Sequence, residues 1–115
     1  MAVACVLVAL VTALAPMARH HVHKPSDATT TQTSDWACIR WHESGDNYRA
    51  SGDEYMGGAY QISPYVWQVQ LGYSGYPAQA SPALQDHAAL VLWHYALRVW
   101  GNPWRPWQTA PLCGL

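Results

Sequence analysis

Phenylalanine is absent from these 115 residues, although seven Trp and seven Tyr are present. The aromatic surface therefore always carries a polar edge. Tyr and Trp pair an apolar ring face with a hydrogen-bonding group. That combination suits sugars, whose C–H faces stack on rings while their hydroxyls bond to polar edges. The competing role for each Trp is ordinary core filling. Charge is also scarce: 11% of residues are charged and the net charge is −1 with neutral histidines. A nucleic-acid footprint needs a clustered basic face, so none is expected. The chain lacks a Cys-x-x-Cys or similar zinc spacing. No internal repeat stands out, and the length gives room for one domain at most.

A long apolar run is missing too. Ala2 to Ala15 is almost unbroken Ala, Val and Leu, interrupted by Cys5 and Thr12. About fourteen such residues fit a signal-peptide core better than a membrane span, which needs roughly 20. Residues 1–18 thus read as a secretion signal, with an uncleaved anchor as the alternative. No Lys or Arg precedes the run, and Pro16 follows the first cleavage candidate. Residues 19–34 read as a polar, disordered linker. Its His20, His21 and His23 have no acidic or Cys partner nearby, and no metal or cofactor is expected.

Of three cysteines, Cys5 lies in the signal segment. Cys38 and Cys113 remain and bracket almost the whole domain. In an exported small domain this even pair reads as a disulfide rather than two free thiols. Closing a loop of about 75 residues stabilises by roughly 4 kcal/mol in the chain-entropy model.

The folded part, residues 35–115, is expected to be α+β and mainly α. Ser34 or Asp35 caps a first helix from Trp36 to Glu43. Trp36, Ile39 and more loosely Cys38 and Trp41 form its apolar side. Ser44-Gly45 breaks it, and Gly45 to Glu54 is a loop. Tyr55 to Ile62, with Gly57-Gly58, predicts a short hairpin or turn. Ser63-Pro64 and Ser81-Pro82 are both helix starts. The first of these helices ends at Gly72. The second runs from Pro82 to Trp100, with Leu84, Ala88, Val91, Leu92, Tyr95 and Val99 at helical spacing, and stops at Gly101. The Asn102 to Trp107 tail has two prolines and cannot be regular helix.

Glu43 is the residue with the clearest chemical meaning. It closes an apolar helical stretch, two residues after Trp41, just before the Ser-Gly break. Burial against aromatic surface favours the neutral form of a carboxyl group. A carboxylic acid that keeps its proton near neutral pH is what glycosidic bond cleavage needs. The competing role is an exposed helix-end carboxylate paired with Arg40. His42-Glu43 is not a zinc motif, since His-Glu-x-x-His would need histidine where Asp46 stands.

The stretch His42-Glu43-Ser44-Gly45-Asp46-Asn47-Tyr48 resembles the Glu-Ser-Gly-x-Asn-aromatic motif of the transglycosylase-like domain of resuscitation-promoting factors. Tyr55-Met56-Gly57-Gly58-Ala59-Tyr60-Gln61-Ile62-Ser63 is similar to that family's Tyr-Gly-Gly-Leu-Gln-Phe-Ser segment. The likeness continues through Pro64 to Trp67, Gly75-Tyr76-Pro77, Ala80-Ser81-Pro82, Gln85-Asp86, Trp100-Gly101 and the Trp107 to Gly114 tail. It covers residues 35–115 in order. Two departures are evident. The family's first cysteine directly precedes the glutamate, where this chain has His42, and Cys38 lies a helical turn earlier. Gly58-Ala59-Tyr60-Gln61 has one extra residue and looks closer to the Gly-Leu-Met-Gln-Ile motif of other lytic transglycosylases.

The resemblance implies a small lysozyme-like domain that cleaves peptidoglycan. It implies Glu43 as the general acid on the bond between N-acetylmuramic acid and N-acetylglucosamine. A two-carboxylate mechanism would need a second acid, and Asp46, Asp53 and Glu54 are the only ones close in sequence. The family instead implies assistance from the substrate's own N-acetyl or 6-hydroxyl group. Tyr55, Tyr60, Gln61 and Trp67 are the substrate-groove candidates, and Gln61 can both donate to and accept from an acetamido group. The expected partners are glycan strands, with another wall hydrolase as a further partner, no nucleic acid, and a monomeric chain in the secreted or cell-wall compartment. The rival readings are a non-catalytic wall-binding module and a secreted interaction protein using exposed Trp104 and Trp107.

Overall fold

A computed structural model describes residues 26–52 and 55–115, with side chains from Gln32 onward. The expected signal, the His20–His23 cluster, Asp53 and Glu54 lie outside the described residues. The protein is mainly helical. Helix α1 (Ser26–Ser44) and helix α2 (Pro82–Trp100) are joined by short 3-10 and π-helical turns.

Helix α1 starts at Ser26, not at the expected Ser34 or Asp35, so residues 26–34 are helix rather than linker. No Gly or Pro falls between Ser26 and Ser44. A helix nucleated at its packed C-terminal half therefore propagates backwards, one hydrogen bond per residue fixed. Trp36 and Ile39 face the core as expected, and Ile39 is fully buried. Trp41 is 66% exposed, so it does not shelter Glu43. The helix stops where the sequence indicates. Gly45 and Asp46 both take positive φ, and their N–H groups return to the carbonyls of Trp41 and Arg40.

The expected hairpin over Tyr55 to Ile62 does not form, and no strand occurs among the described residues. A 3-10 turn spans Gly58–Tyr60 instead. Side chains take the backbone groups that a partner strand would need. Gln85 Oε1 accepts from the Ala59 N–H at 2.9 Å, and Ser44 Oγ donates to the Ala59 carbonyl at 2.8 Å. Gly58 sits at φ +68°, and a Cβ there would stand 2.1 Å from Gln85 Oε1. Only glycine allows Gln85 this approach. Gln85 is 1% exposed and fully engaged, with its Nε2 donating to the carbonyls of Tyr48 and Ala80.

Helix α2 forms as expected at both ends. Ser81 Oγ accepts from the Leu84 N–H at 3.2 Å, Pro82 is the first helical residue, and Gly101 takes φ +67°. Ser81→Ala should cost about 1 kcal/mol, the usual value of an N-cap, read as a lowered urea midpoint with unchanged slope. The buried stripe of α2 shares Ala88 and Leu92 with the expected one and otherwise differs. It is Gln85, Ala88, Ala89, Leu92 and Ala96, whereas Val91, Tyr95 and Val99 are exposed. Three small alanines let the helix approach the central turn closely, so the large residues are turned outward.

Ser63 caps the middle turn through the Val66 N–H. A π-helical turn follows at Val66–Gln70 and ends before Gly72, at φ +75°. It buries Trp67 completely, with the indole N–H donating to the Ser74 carbonyl. The tail packs back through Trp107, which is 4% exposed and donates to the Tyr60 carbonyl. Trp36 lies edge-on to Tyr60, Trp104 and Trp107, with centroids 4.7–5.7 Å apart. Trp104 and Trp107 are thus part of the packed interior and its flank, not an exposed contact surface. A disulfide joins Cys38 of α1 to Cys113 of the final 3-10 turn (Ala110–Cys113), with Cα atoms 5.9 Å apart.

Candidate active site

Glu43 stands at the last turn of α1, half-buried. Thr109 Oγ1 donates to its Oε1 at 2.6 Å. Thr109 directly precedes the final turn, and Cys113 fastens that turn to the same helix. Glu43 is therefore held from both its own helix and the chain's end. Its neighbour Ser44 binds the Ala59 carbonyl and accepts from the Asn47 N–H at 3.0 Å. The Glu-Ser-Gly-Asp-Asn segment is thus a folded corner, with Ser44 as its pin. Arg40 does not pair with Glu43. Its Nε lies 2.6 Å from Asp46 Oδ1.

A cleft of about 410 Å³ lies among the central turns, α2 and the tail. Its wall includes Tyr55, Gln61, Tyr95, Trp100, Arg105 and Trp107. Glu43 is not in that wall. Two chain segments link the two places. Trp107 lines the cleft and Thr109 binds Glu43; Gln61 lines the cleft and Ala59 binds Ser44. Two residues of chain span at most about 7 Å. The cleft is aromatic with one cation, since the Arg105 guanidinium sits 4.9 Å above the Trp100 ring.

Of the four expected groove residues, Tyr55, Tyr60 and Gln61 line the cleft. Trp67 does not; it belongs to the core, because its ring fills the space under the middle turn. Tyr60 is 3% exposed, and its hydroxyl donates to Asp86 at 2.5 Å and accepts from Arg40 at 3.2 Å. It is a structural wall rather than a free hydroxyl. Gln61 donates through Nε2 to the Gly58 carbonyl at 2.9 Å, so one amide hydrogen is already committed. Tyr95 and Arg105 carry no motif signal, and Trp100 and Thr109 lie in stretches of family likeness that assign them no site role. Only folding brings them here.

Behind the cleft lies a polar network that joins both helices. Asp86 accepts from Tyr48 at 2.6 Å as well as from Tyr60. Burial and the Asp86 hydrogen bond push the Tyr60 phenol well above its ordinary range, and Tyr48 shifts the same way for the same reasons. Burial opposes the Arg40 charge, but hydrogen bonds to Asp46 and Tyr60 outweigh it and hold the guanidinium above its usual value. The folded protein keeps phenolic protons that the unfolded chain releases near pH 10. Stability contributed by Tyr60 and Tyr48 is thus complete below pH 10 and declines as pH rises beyond it. Urea midpoints should fall between pH 9 and pH 11, and less steeply in Tyr60→Phe; equal slopes would remove Tyr60 from this account.

Asp46 and Asp86 are both engaged in this network, so neither is poised as a free second carboxylate. No family model, characterised protein or solved structure matches this chain.

Proposed function

We propose that this chain is a secreted, lysozyme-like enzyme that cleaves the glycan strands of peptidoglycan, with Glu43 as general acid. The observation that carries the reading is the setting of Glu43. It ends α1 inside a Glu-Ser-Gly-x-Asn-aromatic stretch and is held by Thr109 from the cross-linked tail. Thr109 is two residues from Trp107, which with Tyr55 and Gln61 lines an aromatic cleft. Glu43 protonates the oxygen bridging N-acetylmuramic acid and N-acetylglucosamine. The bond breaks through an oxocarbenium-like transition state. The family resemblance implies that the substrate's N-acetyl or 6-hydroxyl group completes the displacement, with a 1,6-anhydro end as the favoured product; the engagement of Asp46 and Asp86 in other contacts is in keeping with this.

A second reading has one observation in its favour. Glu43 is outside the cleft wall, which suits a module that binds glycan without cutting it. A digest of purified peptidoglycan by the oxidised protein, read by mass spectrometry, separates the two. Soluble muropeptides with anhydro ends are expected. Sedimentation with the wall and no released fragments would favour the binding module.

A further inference from the structure

The disulfide has a third neighbour that can bind metal. Cys38 and His42 are four residues apart on α1 and share one face, as i and i+4 positions do. Cys113 is brought to the same face by the final turn. The ligand atoms of all three side chains lie within 4.8 Å of one another. A tetrahedral zinc site with Zn–S of about 2.3 Å and Zn–N of about 2.0 Å places its ligands about 3.5–3.8 Å apart. Small rotamer changes therefore suffice. His42 is exposed, so one side of the cluster faces solvent and leaves a fourth position for water.

We propose that, when the disulfide is reduced, Cys38, His42 and Cys113 form a zinc-binding site that replaces the covalent staple with a coordinate one. Two thiolates and one imidazole match the preference of zinc for sulfur and nitrogen donors. The chemistry balances in two steps. A dithiol reductant gives two electrons and two protons to the Cys38–Cys113 bond, and its own sulfurs pair as a disulfide. Zn²⁺ then displaces the two thiol protons into solvent, and neutral His42 donates a nitrogen lone pair. The oxidised protein has no thiolate to offer and stays metal-free at this place. The site is independent of any catalysis by Glu43.

The test uses the full chain, reduced with a trialkylphosphine, which leaves as its oxide with oxygen from water. Zinc binding is measured by competition with a chromophoric chelator, and Co²⁺ is used as a spectroscopic probe. His42→Gln, the Cys38→Ser/Cys113→Ser double variant, and a His20→Gln/His21→Gln/His23→Gln triple variant run in parallel. The reduced protein should take up one ion, with thiolate-to-cobalt charge transfer and tetrahedral visible bands. The oxidised protein and the double cysteine variant should show neither. His42→Gln should weaken zinc binding by more than about tenfold, the scale on which even outer partners of a metal site count. The triple variant should bind like the original. Equal affinity in His42→Gln, or loss of binding in the triple variant, would overturn the proposal. The first result would also expose binding by cysteines of an unfolded chain.

Discussion

Glu43→Gln should stop muropeptide release almost completely, by on the order of 10²–10⁴-fold, the range contributed by a positioned proton donor. The substitution is nearly isosteric. Thr109 donates the hydrogen bond at this site, and an amide oxygen can still accept it. Fold and contacts are therefore expected to persist while the transferable proton is lost. Matching thermal midpoints and equal sedimentation with intact wall would show that only chemistry changed. Retained release by the variant would remove Glu43 from the mechanism. It would shift the role to Asp46, Asp53 or Glu54, the other carboxylates close to it in sequence.

Much of the scaffold was readable because its signals are local. Ser81-Pro82 and Gly101 mark the ends of α2, and each acts through its own backbone. Gly45 and Gly72 end their helices for the same reason, with positive φ at both. The Cys38–Cys113 bridge is legible from the two cysteines that bracket the folded part. Other features depend on distant partners. The hairpin expected at Gly57-Gly58 is a tight turn because Gln85 and Ser44, far away in sequence, take up the Ala59 backbone groups. On α2, Ala88 and Leu92 are buried as helical spacing predicts, but Val91, Tyr95 and Val99 face outward, because packing selects the small Ala89 and Ala96 for close approach.

The same division runs through the candidate site. Glu43, Tyr55 and Gln61 are candidates because each lies in a contiguous stretch of motif; Tyr55 and Gln61 line the cleft and Glu43 does not. Thr109 is 66 residues from Glu43, and nothing in its own neighbourhood signals a carboxylate partner. Arg105 stands between two prolines' worth of irregular tail, where helical or strand spacing gives no guide. Arg40, Tyr48, Tyr60 and Asp86 belong to four separate segments, so their network exists only once α1, the central turn and α2 are together.

Replacing both bridged cysteines, Cys38→Ala with Cys113→Ala, should destabilise the domain by about 4 kcal/mol, the chain-entropy value for a closed loop of this length. The bridge spans 75 residues, nearly the whole folded part. At roughly 0.05–0.15 kcal/mol per residue, a domain of about 80 residues has about 4–12 kcal/mol in total, so the bridge is a third of it or more. Among the described residues the largest fully buried side chains are Trp67, Ile39, Gln85 and Pro77. A drop of roughly 15–30 °C in thermal midpoint follows from the entropy of unfolding of a domain this size. Circular dichroism melts of the oxidised protein and the double variant test it. The tail should loosen first. Its remaining anchors include the Trp104 and Trp107 rings against Trp36, the indole bond to Tyr60 and the Thr109 bond to Glu43. Thr109 is among them, so wall cleavage should fail at temperatures where α1 and α2 still hold. A shift of only a few degrees would mean that those contacts, rather than the bridge, fix the tail on α1.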